Sequence, residues 1–95
     1  MQARTSTWTG SPQALDRWVE HVGKRVRPMV AGIPGNAGVF FFVDRAANRA
    51  MTLTLWDDEA AARQSDATAD ASRARTVDAT GVELVERAAY DVVTD

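Results

Sequence analysis

The sequence predicts an α+β domain. It should be one four-stranded antiparallel sheet with two helices on one face and a second copy of the chain on the other. Three observations lead there. Element signals run β-α-β-β-α-β along the chain, the middle two strands read as a hairpin, and both faces of that hairpin are apolar.

Residues 3–9, Ala-Arg-Thr-Ser-Thr-Trp-Thr, are rich in β-formers and make the first strand. Gly10 breaks it. Ser11 then serves as N-cap with Pro12 at the first helical position. Leu15, Trp18, Val19, Val22, Val26, Met29 and Val30 fall on one helical stripe. Pro28 inside that stripe should kink the last turn or loosen it. Gly32 and Ile33-Pro34-Gly35 end the helix.

Val39-Phe40-Phe41-Phe42-Val43 has strand length, residues 44–49 form a polar turn, and Met51-Thr52-Leu53-Thr54-Leu55-Trp56 alternates with period two. Asp57 or Asp58 caps a second helix reaching about Arg75, with an apolar face of alanines (Ala60, Ala67, Ala71, Ala74). Near Gly81 the chain turns into a last strand region, Val82 to about Val93, with a bend expected at Arg87-Ala88-Ala89.

This order is the split βαβ arrangement of ferredoxin-like folds. Pairing Val43 with Ala50 sets Phe42 opposite Met51 and Phe40 opposite Leu53. One face then carries Phe40, Phe42, Met51, Leu53 and Leu55, a natural floor for the helices. The other carries Val39, Phe41, Val43, Thr52, Thr54 and Trp56 and is too apolar to stay wet. Covering three or four such side chains contributes about 1.5–3 kcal/mol each, which matters in a domain this small. Sheet-to-sheet association into a homodimer through Val39, Phe41, Val43, Thr52, Thr54 and Trp56 is the expectation, and a heteromeric partner would also fit.

The 95 residues form one domain, 1–95, with 45% hydrophobic and 25% charged residues, which argues against disorder. A formal charge of −2 gives no reason to expect nucleic acid as a partner. Residues 1–49 hold seven basic side chains against three carboxylates, and residues 50–95 hold four arginines against ten. Helix ends account for much of that skew: basic residues crowd the end of the first helix, and Asp57, Asp58 and Glu59 open the second. No stretch approaches the ~20 apolar residues of a membrane span. Met1-Gln2-Ala3-Arg4-Thr5 lacks signal-peptide character, so a cytoplasmic location is expected. One histidine and no cysteine leave no metal-ligand set.

The Ser-Pro helix start, Ile33-Pro34-Gly35 before the second strand, and Leu53-Thr54-Leu55-Trp56-Asp57-Asp58-Glu59 at the strand-to-helix junction resemble the antibiotic biosynthesis monooxygenase-like family of dimeric α/β barrels. The resemblance spans nearly the whole chain. It implies a ligand cavity between helices and sheet and, as activity, cofactor-independent monooxygenation of an aromatic or phenolic small molecule. The alternative it leaves open is a non-catalytic binding or assembly module of stress-response type. Asn36 follows Pro-Gly where members often carry an aromatic. The second helix lacks the histidine of haem-degrading members, so no haem or other cofactor is expected.

Three polar residues are catalytic candidates. Asn36 and Tyr90 could orient a phenol or stabilise an oxyanion, and His21 could act as a base. Asparagine after Pro-Gly also suits a turn, Tyr90 a strand rim, and His21 a solvated helix surface. Trp8, Phe40, Phe42 and Trp56 are the ligand-wall candidates, because flat polycycles stack on such rings; they also suit ordinary packing.

Overall fold

The computed structural model describes residues 1–94. Strands β1 (Gln2–Thr9), β2 (Asn36–Asp44), β3 (Arg49–Trp56) and β4 (Glu83–Asp91) form one antiparallel sheet in the order β2-β3-β1-β4. The predicted ferredoxin-like fold is present. The hairpin register is also the predicted one, with Val43 opposite Ala50, Phe42 opposite Met51 and Phe40 opposite Leu53. β4 bulges at Val85, opposite the Thr7–Trp8 step, rather than at Arg87-Ala88-Ala89.

The first helical segment has three parts: α1 (Pro12–His21), a π turn (Val22–Val26) and α2 (Arg27–Ala31). Ser11 caps it as expected, its Oγ accepting from the Ala14 N–H at 3.1 Å. Pro28 explains the π turn. It offers no N–H to the Lys24 carbonyl and its ring crowds that oxygen, so the preceding turn widens until the Arg27 N–H reaches the Val22 carbonyl. Leu15, Trp18, Val22, Val26 and Val30 all point at the sheet and are buried.

The face of the sheet that receives them is the one expected to dimerise. Trp8, Val39, Ala50 and Trp56 join the buried cluster beneath α1, and Trp18 meets Phe41 edge-on with ring centroids 6.0 Å apart. Phe40, Phe42 and Met51 lie exposed on the opposite face. The assignment of Val39, Phe41, Val43, Thr52, Thr54 and Trp56 to the dimer surface is therefore reversed. Apolarity could not choose between two apolar faces. The handedness of the β1–α1–β2 crossover selects the helix side, and it leaves no trace in side-chain composition.

The second helical segment also differs. α3 (Glu59–Gln64), capped by Asp58 Oδ1 on the Ala61 N–H at 2.8 Å, breaks at Ser65. Then α4 (Asp66–Thr80) runs five residues past the expected end at Arg75. The Thr76 and Thr80 hydroxyls donate to the carbonyls of Ser72 and Thr76, which satisfies them within the helix. Gly81, at φ +84°, ends the helix. Ser72, Thr76 and Thr80 face inward, while Ala60, Ala67, Ala71 and Ala74 face solvent. α4 thus turns small hydroxyls to the sheet, not an alanine stripe that could close down on it.

Candidate functional site

Between that helix layer and the sheet lies a cavity of about 470 Å³. Its floor is the helix-facing row of β3, Thr52 and Thr54, with Trp8 on one side and Trp56 at the end. The two threonines satisfy the two indoles: Trp8 Nε1 donates to Thr52 Oγ1 at 3.2 Å and Trp56 Nε1 to Thr54 Oγ1 at 2.9 Å. Each ring is thereby fixed, and since both are almost wholly buried each presents only a small part of its surface to the cavity. Val22, Val26, Met29 and Val30, from the π turn and α2, form the roof. Val22 and Val26, four residues apart, stand over the cavity on neighbouring turns.

The third wall is polar. α4 contributes Asp66, Asp70, Ser72, Arg73 and Thr76, β1 contributes Arg4, and β4 contributes Arg87. Arg4 Nη1 pairs with Asp66 Oδ1 at 3.1 Å, while its Nε is buried with no acceptor among the described residues. Asp70 Oδ1 accepts from both Arg73 and Arg87, the latter at 2.9 Å. The Arg73 hydrogen bond and then the Arg73 charge hold the Asp70 carboxyl below the ordinary carboxylate range; burial opposes them, and the Arg87 charge adds least. Three guanidiniums face two carboxylates here, so the wall is locally positive in a chain whose formal charge is −2.

Of the expected site residues, the cavity gathers Trp8 and Trp56. Phe40 and Phe42 stand on the other side of the sheet, exposed. Tyr90 is opposite Ala3, on the same face as Leu55 and away from the cavity, with its side chain exposed. Asn36 locks the start of the hairpin: its Nδ2 donates to the carbonyls of Gly38 and Leu55 at 3.2 and 3.1 Å, and its Oδ1 accepts from the Gly38 N–H. His21 sits on the outer side of α1 beside Arg25 and Arg75. It touches the cavity wall indirectly, Nε2 to Thr76 Oγ1 at 3.1 Å. Burial, then the charges of Arg25 and Arg75, push its pKa down, so the ring is neutral at pH 7.

Arg4, Arg73 and Arg87 were not singled out in the sequence. One signal existed: Arg4, Ser6 and Trp8 alternate along β1, so whichever face takes Trp8 also takes Arg4. No local signal marks Arg73, because α4 turns the hydroxyls of Ser72, Thr76 and Thr80 inward instead of an apolar stripe.

Two of the three segments that carry the family resemblance meet in space. The Gly35 carbonyl accepts from the Asp57 N–H at 2.9 Å, and Asn36 pairs with Trp56. The sequence model of the antibiotic biosynthesis monooxygenase family matches residues 1–77. Among crystal structures, SnoaB, a cofactor-independent oxygenase from Streptomyces nogalater, superposes with a TM-score of 0.75 at 18% identity, covering 99% of this chain and 94% of that one. HapK from Hahella chejuensis gives 0.74 at 15% identity, with 100% and 95% covered. The ActVA-Orf6 monooxygenase of Streptomyces coelicolor, in complex with nanaomycin D, gives 0.71 at 15%, with 98% and 89% covered. At these identities the likeness establishes the fold. No protein of curated function matches the sequence.

Proposed function

Because the chain belongs to the antibiotic biosynthesis monooxygenase family, we propose that its cavity binds a flat phenolic compound and promotes its reaction with oxygen without a cofactor. The carrying observation is the cavity itself: about 470 Å³, two tryptophan walls, an aliphatic roof and an arginine side. That is room for a two- or three-ring ligand. Trp8 and Trp56 border the ring, the valine and methionine roof limits water, and the Arg4 guanidinium on the polar wall supplies positive charge to a phenolate oxygen. An ionised phenol is electron-rich enough to reduce oxygen. The overall step is phenol plus O₂ to quinone plus water: one oxygen atom becomes the new ring carbonyl and the other leaves as water. All four electrons come from the substrate. His21 does not serve as the route for the phenolic proton: the Thr76 hydroxyl donates to the Ser72 carbonyl, so His21 Nε2 donates to Thr76 Oγ1, and the proton leaves to water.

The test is oxygen uptake by the purified protein with naphthols and hydroxyanthrones. One O₂ consumed per quinone formed, abolished by W8A, supports the reading. Binding without uptake would instead favour a non-catalytic carrier. One observation favours that second reading: both carboxylates facing the cavity are tied to arginines, so neither is free to serve as a strong base.

A homodimer remains part of the proposal, now through the opposite face. Phe40 is 49% exposed, Phe42 52% and Tyr90 56%, with Met51, Leu53 and Leu55 between them. A contiguous apolar surface of this kind calls for a partner, and an identical sheet fits it. The cavity lies on the other side, so each protomer would keep its own.

A further inference from the structure

We infer that the Arg73–Arg87 side of the cavity is a carboxylate site, and that the ligand is an aromatic acid rather than a neutral phenol. The inference rests on the cavity being a ligand site and adds the class of ligand it selects. Three observations carry it. First, Arg73 and Arg87 come from different elements, α4 and β4, yet converge on a single oxygen, Asp70 Oδ1. Two guanidiniums with five N–H donors each are far from saturated by one shared acceptor. Second, all three charges line the same concavity as Trp8 and Trp56, so one planar molecule could reach both the rings and the arginines. Third, the cavity's charged lining is Arg4, Arg73 and Arg87 against Asp66 and Asp70, which leaves one positive charge uncompensated. A carboxylate on the ring would neutralise that excess and fit the planar fork geometry of a guanidinium.

Asp70 is the internal competitor in this arrangement. It holds the two guanidiniums side by side when no ligand is bound and shares them when a carboxylate arrives. Removing its charge should therefore strengthen ligand binding, an outcome that a purely structural ion pair would not give.

The experiment is calorimetric titration of the intact protein with 1-hydroxy-2-naphthoic acid, its methyl ester and 1-naphthol, at low and high salt. The acid should bind about tenfold or more tighter than the ester, the margin expected of charge-assisted hydrogen bonds, and that margin should shrink in salt. R87Q changes a side chain that is more than half exposed, so the fold should persist. It should bring the acid down to the affinity of its methyl ester. D70N should tighten the acid several-fold and leave the ester alone. Equal binding of acid and ester, or full acid affinity in R87Q, would overturn the carboxylate site while the cavity reading stands. Failure of all three compounds to bind would overturn the cavity reading, and this inference with it.

Discussion

Replacing Gly35 by alanine should destabilise the protein strongly, while the same replacement at Gly23 should not. Gly35 sits at φ +87°, and a Cβ built there would lie 2.5 Å from the Ala61 Cβ at the start of α3. Its carbonyl also holds the Asp57 N–H, so the backbone cannot swing away without loosening the β3–α3 junction. A left-handed backbone costs an alanine about 1–2 kcal/mol, and overpacking adds about 1–3 kcal/mol. The smaller entropy of the unfolded alanine chain offsets about 0.4–1 kcal/mol. The net is a loss of about 3 kcal/mol, or roughly 12–24 °C in a domain of this size. Gly23 lies in the π turn with nothing within 4 Å of its would-be Cβ, and alanine there should stabilise by about 0.5–1 kcal/mol. Urea unfolding followed by tryptophan fluorescence reads both. A G35A variant within about 0.5 kcal/mol of wild type would refute the view that these segments form one rigid junction.

On the open face, F42E should halve the molecular mass found by light scattering at micromolar concentration without unfolding the chain; a wild-type protein that is already monomeric contradicts the dimer. A69F, projecting into the cavity from α4, should abolish aromatic binding while far-ultraviolet circular dichroism stays unchanged. His21 predicts a pH effect on stability. Its folded pKa is depressed, so the unfolded chain takes up the proton first; stability is full above the ordinary value of about 6.5 and falls as pH drops towards the folded pKa. In H21Q the midpoint between pH 8 and pH 5 should lose that share of its acid dependence, and an unchanged slope would remove His21 as its source.

The four strands, the hairpin register and both helix starts are legible in the sequence, because period-two alternation, Ser-Pro and Asp-Asp-Glu are local signals. Trp8 and Trp56 were marked as ligand walls by ring size alone, and both line the cavity. Phe40 and Phe42 were marked on the same ground but stand outside it, because strand alternation gives two faces and only the crossover says which one is covered. The polar wall was illegible for a different reason. α4 has almost no amphipathic pattern: it buries Ser72, Thr76 and Thr80, whose hydroxyls are satisfied within the helix, so no apolar stripe announced its inner side. Nor does any motif place Arg4, Arg73 and Arg87 together. They are brought side by side by the β1–β4 pairing, in which Ser6 faces Arg87, and by the length of α4.

The most direct test follows the tryptophan indole N–H signals, together with the phenylalanine and tyrosine ring signals, by NMR as an aromatic phenol is titrated in. Trp8 and Trp56 line the cavity with their N–H groups on Thr52 and Thr54, whereas the Trp18 N–H is buried and outside the cavity lining. The account predicts that the Trp8 and Trp56 signals move together and saturate, that Trp18 responds far less, and that Phe40, Phe42 and Tyr90 on the open face stay in place. Shifts confined to the open face, or no movement of Trp8 and Trp56 with any aromatic ligand, would contradict the claim that the cavity between helices and sheet is the functional site.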